Sequence, residues 1–178
     1  MEIVMTTHPA DSAGNAVPDG SGRHWLALAA RGAFPLDDSA QGPSGFAACG
    51  LAGDLQAAGA ARQFTRSTLT GWGMPALVDN AAIIVSELLS NAMRYGLATA
   101  QELPAPAHPV WLGLLLRGTT VLCAVCDPGT GVPVLKEPDH LAETGRGLHV
   151  IDALSESWGW TPPDHGGKVV WAAVSACA

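Results

Sequence analysis

The most regular hydrophobic pattern in the chain extends from about Pro75 to Tyr95. Glu87, Asn91 and Arg94 fall together on one face of the predicted helix, because residues three and four apart are neighbours on a helix. Apolar residues occupy the other side with helical spacing, at Ala81, Val85, Leu88, Leu89 and Ala92. The pattern predicts a helix that packs on a sheet. Its polar face is either solvent-exposed surface or part of a functional site.

Short apolar runs bounded by turn residues predict the sheet. The predicted strands are 46–49, 110–116, 120–126, 157–161 and 168–175. The second and third are joined by Arg117-Gly118-Thr119 and form a predicted hairpin. Further helices are predicted over 55–69 and 148–154. Helices packed on one face of a mostly antiparallel sheet define an α+β fold, a two-layer α/β sandwich.

Residues 1 to 44 lack such a pattern and are rich in Gly, Pro, Ser, Asp and Ala. Only residues 25 to 29 form a short apolar run. A segment of this composition buries too little apolar surface to offset the entropy lost on ordering. We therefore predict a flexible N-terminal extension over 1–44, dispensable for ligand binding, and one domain over 45–178.

Composition and charge narrow the function classes. The chain has 178 residues, 48% of them hydrophobic, and a formal net charge of −7. An acidic chain is a poor match for nucleic acid or an anionic membrane surface. No apolar run approaches the roughly 18 residues of a membrane span, and the start does not have the pattern of a signal peptide. Four cysteines make no disulfide framework in a chain of this size, which indicates a reduced, cytoplasmic protein.

Several catalytic motifs are absent from the sequence. There is no Walker A loop, no eukaryotic-type kinase signature and no HExxH zinc motif. Cys123 and Cys126 have CxxC spacing, but residues three apart in a strand point to opposite faces of the sheet. We therefore expect buried structural thiols at these positions.

Two glycine clusters remain, Asp127-Pro128-Gly129-Thr130-Gly131 and Gly145-Arg146-Gly147. The first places an acceptor carboxylate beside backbone that a flat ring can approach closely, which suits the exocyclic amine of adenine. The second precedes a helix, whose N-terminal N–H groups favour phosphate. Each cluster alone is equally consistent with an ordinary tight turn.

In this order, the motifs S-E-L-x-x-N-A, D-x-G-x-G and G-x-G-L resemble the N, G1 and G2 boxes of the GHKL, or histidine-kinase-like, ATPase superfamily. Within it, the chain is similar to the small single-domain anti-sigma-factor serine/threonine kinases over about residues 46–175. The resemblance implies the histidine-kinase-like ATPase fold, with ATP and Mg²⁺ as cofactors.

The resemblance also implies roles for individual residues. Glu87 would be the general base, Asn91 the Mg²⁺ ligand, and Asp127 the reader of adenine. Residues 132–144 would form a lid over the nucleotide. The glycines Gly129, Gly131, Gly145 and Gly147 would shape the nucleotide pocket, and Leu148 would also bind the nucleotide. Arg94 and Arg146 are candidates for phosphate contacts, and each is equally consistent with a surface charge.

Three functions are compatible with the sequence. The first is an anti-sigma factor with serine/threonine kinase activity toward an anti-anti-sigma (STAS-type) antagonist, which would make the protein a transcription regulator. The second is a non-catalytic ATP-binding regulator that acts through protein contacts. The third is an interaction module whose glycines only form turns. For the first, a sigma factor and an anti-anti-sigma protein are the expected partners, and a homodimer stays open.

Overall fold

The computed structural model describes residues 6–9, 21–34, 44–97, 109–134, 146–163 and 167–176. Its sheet contains strands β1 (Thr6–Pro9), β2 (Gly45–Leu51), β3 (Val110–Arg117), β4 (Thr120–Asp127), β5 (Ser157–Trp160) and β6 (Lys168–Ser175). The strand order is β1-β2-β3-β4-β6-β5, and every described pair of neighbours is antiparallel. The predicted α+β fold is confirmed.

The helices are α1 (Ser21–Ala33), α2 (Ala57–Gly71), α3 (Val78–Asn91) and α4 (Gly147–Leu154). A 3-10 turn, Pro75–Leu77, precedes α3, and a π turn, Ala92–Gly96, follows it. The Asp54 carboxylate accepts hydrogen bonds from the N–H groups of Gln56 and Ala57, and so supports the start of α2. The predicted central helix is present, but it consists of the 3-10 turn, α3 and the π turn.

The main core lies between one face of the sheet and helices α2, α3 and α4. Alternate residues of β4, including Cys123 and Val125, point into it. The apolar face of α3 packs against them through fully or nearly fully buried side chains at Ala81, Ile84, Val85, Leu88 and Leu89. Burial of this face holds α3 against the end of β4, where the candidate site residue Asp127 lies.

The opposite face of the sheet is covered by α1. Trp25, Leu26 and Ala29 are buried there against a group of sheet residues that includes Leu122 and Trp171. The prediction of a flexible extension is therefore wrong for Ser21–Ala33, and β1 adds a paired edge strand. The second face of the sheet offers the apolar surface that the extension lacks by itself. The remaining residues of 1–44 lie outside the described ranges, and the domain boundary stays a prediction.

Cys123 and Cys126 lie on opposite faces of β4, as predicted. Burial raises the pKa of Cys49 and of Cys123 to about 12. Thiols with so high a pKa are almost entirely protonated at neutral pH and therefore unreactive. The structure thus agrees with a buried structural thiol at Cys123, whereas Cys126 is only half-buried.

One stretch of the described chain, Pro75–Gly96, is long and apolar enough to cross a membrane by length and composition alone. It contains the core helix α3, and 50% of its apolar 18-residue segment is buried inside the protein. The core helix of a globular domain passes this test, so the stretch is weak support for a membrane span.

Docking of α1 predicts protection from proteolysis. Trypsin should cleave after Arg31 much more slowly in the native protein than in urea, because cleavage requires α1 to leave the sheet. Limited digestion followed by mass spectrometry measures both rates. The backbone at Gly32 lies so close to the Trp171 ring that a methyl group there would be 2.9 Å from Cζ2. Gly32→Leu should therefore speed cleavage, and equally fast cleavage of native and denatured protein would contradict docking.

Candidate nucleotide site

A cavity of about 340 Å³ lies where the end of α3, the end of β4, the start of α4 and the start of β6 meet. Its apolar lining includes Leu88, Val125 and Val170, and its polar groups include Asn91, Asp127 and Lys168. This combination of apolar walls with a few convergent polar groups is typical of small-molecule sites. The volume is at the lower end of the range for such sites, about 300–1,000 Å³.

Asp127 ends β4 and is only 2% exposed. Its Oδ1 atom accepts a hydrogen bond of 2.8 Å from the Gly129 N–H and one of 2.7 Å from Lys168 Nζ. Lys168 Nζ also donates to the Gly129 carbonyl oxygen at 3.3 Å. Lys168 reaches this position because it is the direct cross-strand partner of Asp127 in the β4–β6 register. The base of the cavity therefore contains a buried ion pair.

Burial raises the pKa of Asp127 above the usual range for aspartate. The hydrogen bond and positive charge of Lys168, together with the Gly129 N–H, act in the opposite direction. Burial penalises the ionised form, whereas these donors stabilise it. The protonation state of Asp127 thus depends on a charge that lies on another strand.

Glycines surround Asp127 closely. A methyl group at Gly96 would lie 2.5 Å from Asp127 Cγ, and one at Gly129 would lie 2.5 Å from Gly96 Cα. Neither site has room for a side chain, because real Cβ atoms essentially never approach other heavy atoms so closely. Gly167, with φ of 103°, packs on the Asp127 and Pro128 backbone. These glycines let three backbone segments meet around one carboxylate.

Glu87 and Asn91 are half-buried on α3, one helical turn apart. The first residue of α4, Gly147, lies against both: a methyl group there would be 2.6 Å from Glu87 Oε2 and 3.7 Å from Asn91 Nδ2. The π turn begins directly after Asn91. Such π turns are frequent at functional sites. The structure therefore brings the polar face of α3 to the N-terminal end of α4, as the motif order predicts.

The remaining predicted residues differ in their positions. Gly131 and Leu148 line the cavity. Arg94 and Arg146 are exposed and are not among the cavity-lining residues, so their proposed phosphate contacts stay predictions. Gly145 lies outside the described residues. Of the predicted lid, 132–144, only residues 132–134 are described, and they border the cavity.

Sequence reasoning missed Lys168 and Gly96 as site residues. A signal for Lys168 existed, since it is a cation that opens an otherwise apolar predicted strand after Gly166-Gly167. Its significance depends on the register between β4 and β6, which the pattern of one strand does not reveal. Gly96 directly follows the predicted central helix, where glycine is common, so its position in the sequence does not point to the site.

A buried acceptor carboxylate among close-packed glycines, below an apolar cavity with a polar helix face beside it, is the kind of arrangement expected in an α+β domain that binds a small molecule. Residues 51–174, more than half of the chain, match the family model of the histidine kinase-like ATPase domain. The chain therefore belongs to the histidine kinase-like ATPase family. A search of curated proteins finds no match. Family membership implies ATP binding, typically with Mg²⁺.

The residues present fit an adenine nucleotide. Asp127 supplies a buried acceptor below apolar walls, and Gly96 and Gly129 leave room for its carboxylate because they lack side chains. For Mg²⁺, the described residues contain no group of three or more His, Cys, Asp or Glu that could hold a metal ion. Asn91 would supply one amide oxygen, and the other ligands would be phosphate oxygens and water, which Mg²⁺ accepts readily.

Replacement of Asp127 by Asn should weaken ADP and ATP binding by about 1–3 kcal/mol, because a mispaired buried polar group costs about that much. The amide can turn an NH₂ group toward the adenine amine and loses the charge that pairs with Lys168. Calorimetry measures the affinity, and the thermal midpoint without nucleotide shows whether the variant folds. Asp79→Asn, at an exposed position on α3, is the matched control. Equal affinity in the Asp127 variant would remove the adenine assignment.

Proposed function

We propose that this protein is an ATP-binding regulator of the anti-sigma-factor type with serine/threonine kinase activity toward an anti-anti-sigma, STAS-type antagonist. The observation that carries this proposal is the arrangement of Glu87, Asn91 and Gly147. In this arrangement the Glu87 carboxylate lies beside the predicted metal ligand and the start of α4. A regulator that only binds ATP would need the buried base-reading site but not this carboxylate.

In phosphoryl transfer, residues at different positions in the site have different roles. Asp127 accepts the adenine amine at the base of the cavity, and Leu88, Val125 and Val170 exclude water from the ring. The N-terminal N–H groups of α4, from Gly147 onward, favour the negatively charged phosphates. Mg²⁺, when bound, neutralises developing charge on those phosphates.

Glu87 accepts the proton of the attacking serine or threonine hydroxyl at one of its carboxylate oxygens. A helical spacing of four residues keeps it one turn from Asn91, which would hold Mg²⁺, so a hydroxyl group beside Glu87 would be close to the phosphate end of the site. Glu87 is half-buried, so its carboxylate remains accessible to a hydroxyl group of a docked partner. Transfer to a protein hydroxyl thus needs no covalent intermediate on this chain.

The partners follow from the proposed class and not from a surface of the fold. We propose a sigma factor as the bound target and an anti-anti-sigma protein as the phosphorylated antagonist, in the cytoplasm. The formal charge of −7 argues against direct nucleic-acid binding, which is consistent with control of transcription through another protein.

The proposal is tested by phosphoryl transfer. The purified protein is incubated with Mg²⁺ and radiolabelled ATP, together with each purified STAS-type protein of the source organism. Label should move to a serine or threonine of one of them, and not to its Ser/Thr→Ala variant at that residue. If the protein binds ATP and labels none of them, the kinase activity is wrong and a non-catalytic ATP-binding regulator replaces it.

A further inference from the structure

We propose that Lys168 is a positioning residue for base recognition: its buried ammonium keeps the Asp127 carboxylate ionised and fixed in orientation, so that Asp127 can accept the exocyclic amine of adenine. The proposal deepens the nucleotide-binding part of the proposed function and rests on it. It does not depend on whether phosphate is transferred.

The geometry of the pair carries this inference. Lys168 Nζ lies 2.7 Å from Asp127 Oδ1, and the two side chains are only 5% and 1% exposed. Both residues also line the cavity. A buried ion pair contributes little net stability compared with a well-packed apolar pair, because both charges lose their hydration. The rest of β6 is almost entirely apolar, so an ion pair at this one position has a better explanation in the ligand than in the fold.

The number of hydrogen bonds that the Asp127 carboxylate can accept decides whether Lys168 positions it for adenine or blocks adenine from it. An ionised carboxylate has about four acceptor sites. Asp127 uses two of them, both on Oδ1, for Gly129 N–H and Lys168 Nζ. As far as the described residues show, about two therefore remain, on Oδ2, and an adenine amine needs one. Lys168 can stay in place while the base binds, so it acts as a support for Asp127 and not as an internal competitor.

The charge of Lys168 has a second consequence. Burial raises the pKa of Asp127, and Lys168 is the largest influence that lowers it. Without the ammonium, the pKa of Asp127 rises further, and the protonated carboxyl donates a hydrogen bond where the adenine amine needs an acceptor. A neutral variant at 168 should therefore lose adenine affinity as the pH falls.

Other ionisable groups occur on the elements packed against β4 or on β4 itself. Among the side chains that the structure describes, they are Asp79 and Glu87 on α3, Arg94 and Tyr95 on the π turn, Arg117 on β3, Cys123 and Cys126 on β4, and His24 and Arg31 on α1. Of the described residues, Lys168 is the one whose charge shifts the pKa of Asp127. A pH dependence that appears on its removal is therefore assigned to this pair.

The experiment compares ADP with IDP, in which a carbonyl oxygen replaces the amine, by calorimetry between about pH 6 and pH 9. The wild type should bind ADP with a flat profile. Lys168→Met should bind ADP about tenfold more weakly near pH 7, the order of loss expected for a mispaired buried polar group, and should recover toward pH 9 as Asp127 ionises. Its preference for ADP over IDP should narrow as the pH falls, since protonated Asp127 can donate to the IDP carbonyl oxygen.

Two further variants separate charge from packing. Lys168→Arg keeps the charge and should keep the flat profile. Lys168→Gln keeps a donor without the charge, and it should behave like Lys168→Met; it also serves where the Met variant does not fold. Tighter ADP binding by a neutral variant would show that Lys168 blocks the site. Unchanged affinity and pH profile would make the pair purely structural. Either result overturns the proposal.

The wild-type profile is an independent test that requires no variant. A decline in wild-type ADP affinity toward pH 6 would show that Lys168 does not keep Asp127 ionised, and would also overturn the proposal. If the wild type binds neither ADP nor ATP at any pH, nucleotide binding itself is wrong and the inference falls with it. Wild-type binding with no response in the neutral variants removes the inference alone.

Discussion

Glu87→Gln should retain wild-type affinity for ATP and lose about 10²–10⁴-fold in the rate of phosphoryl transfer, the usual loss for a positioned general base. The physical reason is that Glu87 acts on the attacking hydroxyl and not on the bound nucleotide. Glutamine has nearly the same shape, so the close packing of Glu87 Oε2 against Gly147 is kept while the base is removed. Calorimetry and the radiolabel assay measure the two quantities separately.

Asn91→Ala provides the contrast, because the predicted metal ligand serves both binding and transfer. It should weaken Mg²⁺-dependent ATP binding as well as the rate, whereas binding measured in EDTA should change much less. Asp79→Asn is the matched control for Glu87→Gln, since Asp79 is another α3 carboxylate but is highly exposed and does not line the cavity. A Glu87→Gln protein with the wild-type transfer rate would make Glu87 an ordinary surface carboxylate.

Gly96→Ala should both destabilise the fold and weaken nucleotide binding. The added methyl group would lie 2.5 Å from Asp127 Cγ and closer still to Oδ1. Overpacking of this kind costs about 1–3 kcal/mol in the free energy of unfolding. Displacement of Asp127 from its hydrogen bonds adds about 1–3 kcal/mol, which also reduces ADP affinity. Urea unfolding and calorimetry measure the two effects.

Gly59→Ala is the matched control for this substitution. Gly59 lies in α2, and nothing lies within 4 Å of a methyl group built there. Alanine is favoured over glycine inside a helix by roughly 0.5–1 kcal/mol, so this variant should be slightly more stable and should bind ADP normally. Equal stability and affinity of the Gly96→Ala protein and the wild type would show that the glycine cradle around Asp127 is looser than described.

The local pattern of apolar residues predicts much of the main core, which lies between the sheet and helices α2, α3 and α4. The spacing of apolar residues along Val78–Asn91 predicts which face of α3 is buried, because residues at helical spacing lie on the same face. The β3–β4 hairpin follows from two apolar runs around Gly118, whose φ of 60° is a conformation that glycine adopts without strain. The ordered motifs predicted Asp127, Asn91 and Gly147 around one cavity, and the structure places all three there.

The packing of α1 on the second face of the sheet could not be predicted from local pattern in the same way. Ser21–Ala33 contains only three large apolar residues, Trp25, Leu26 and Leu28, and it lies in a segment whose composition resembles that of a flexible chain. Its stability comes from contact with Leu122, Ala124 and Trp171, which are distant in sequence. The apolar character of the β4 and β6 residues on this face was visible, but not the segment that covers them.

The sequence by itself determined the class of fold, the central helix, the order of the nucleotide motifs and the position of the acceptor Asp127. These depend on periodicity and on residue spacing within one element. Only the tertiary structure decided that α1 covers the second face, that Gly96 must lack a side chain and that Lys168 pairs with Asp127. Each of these depends on the register or packing between elements far apart in the chain, where the interaction exists only after both surfaces have been brought together.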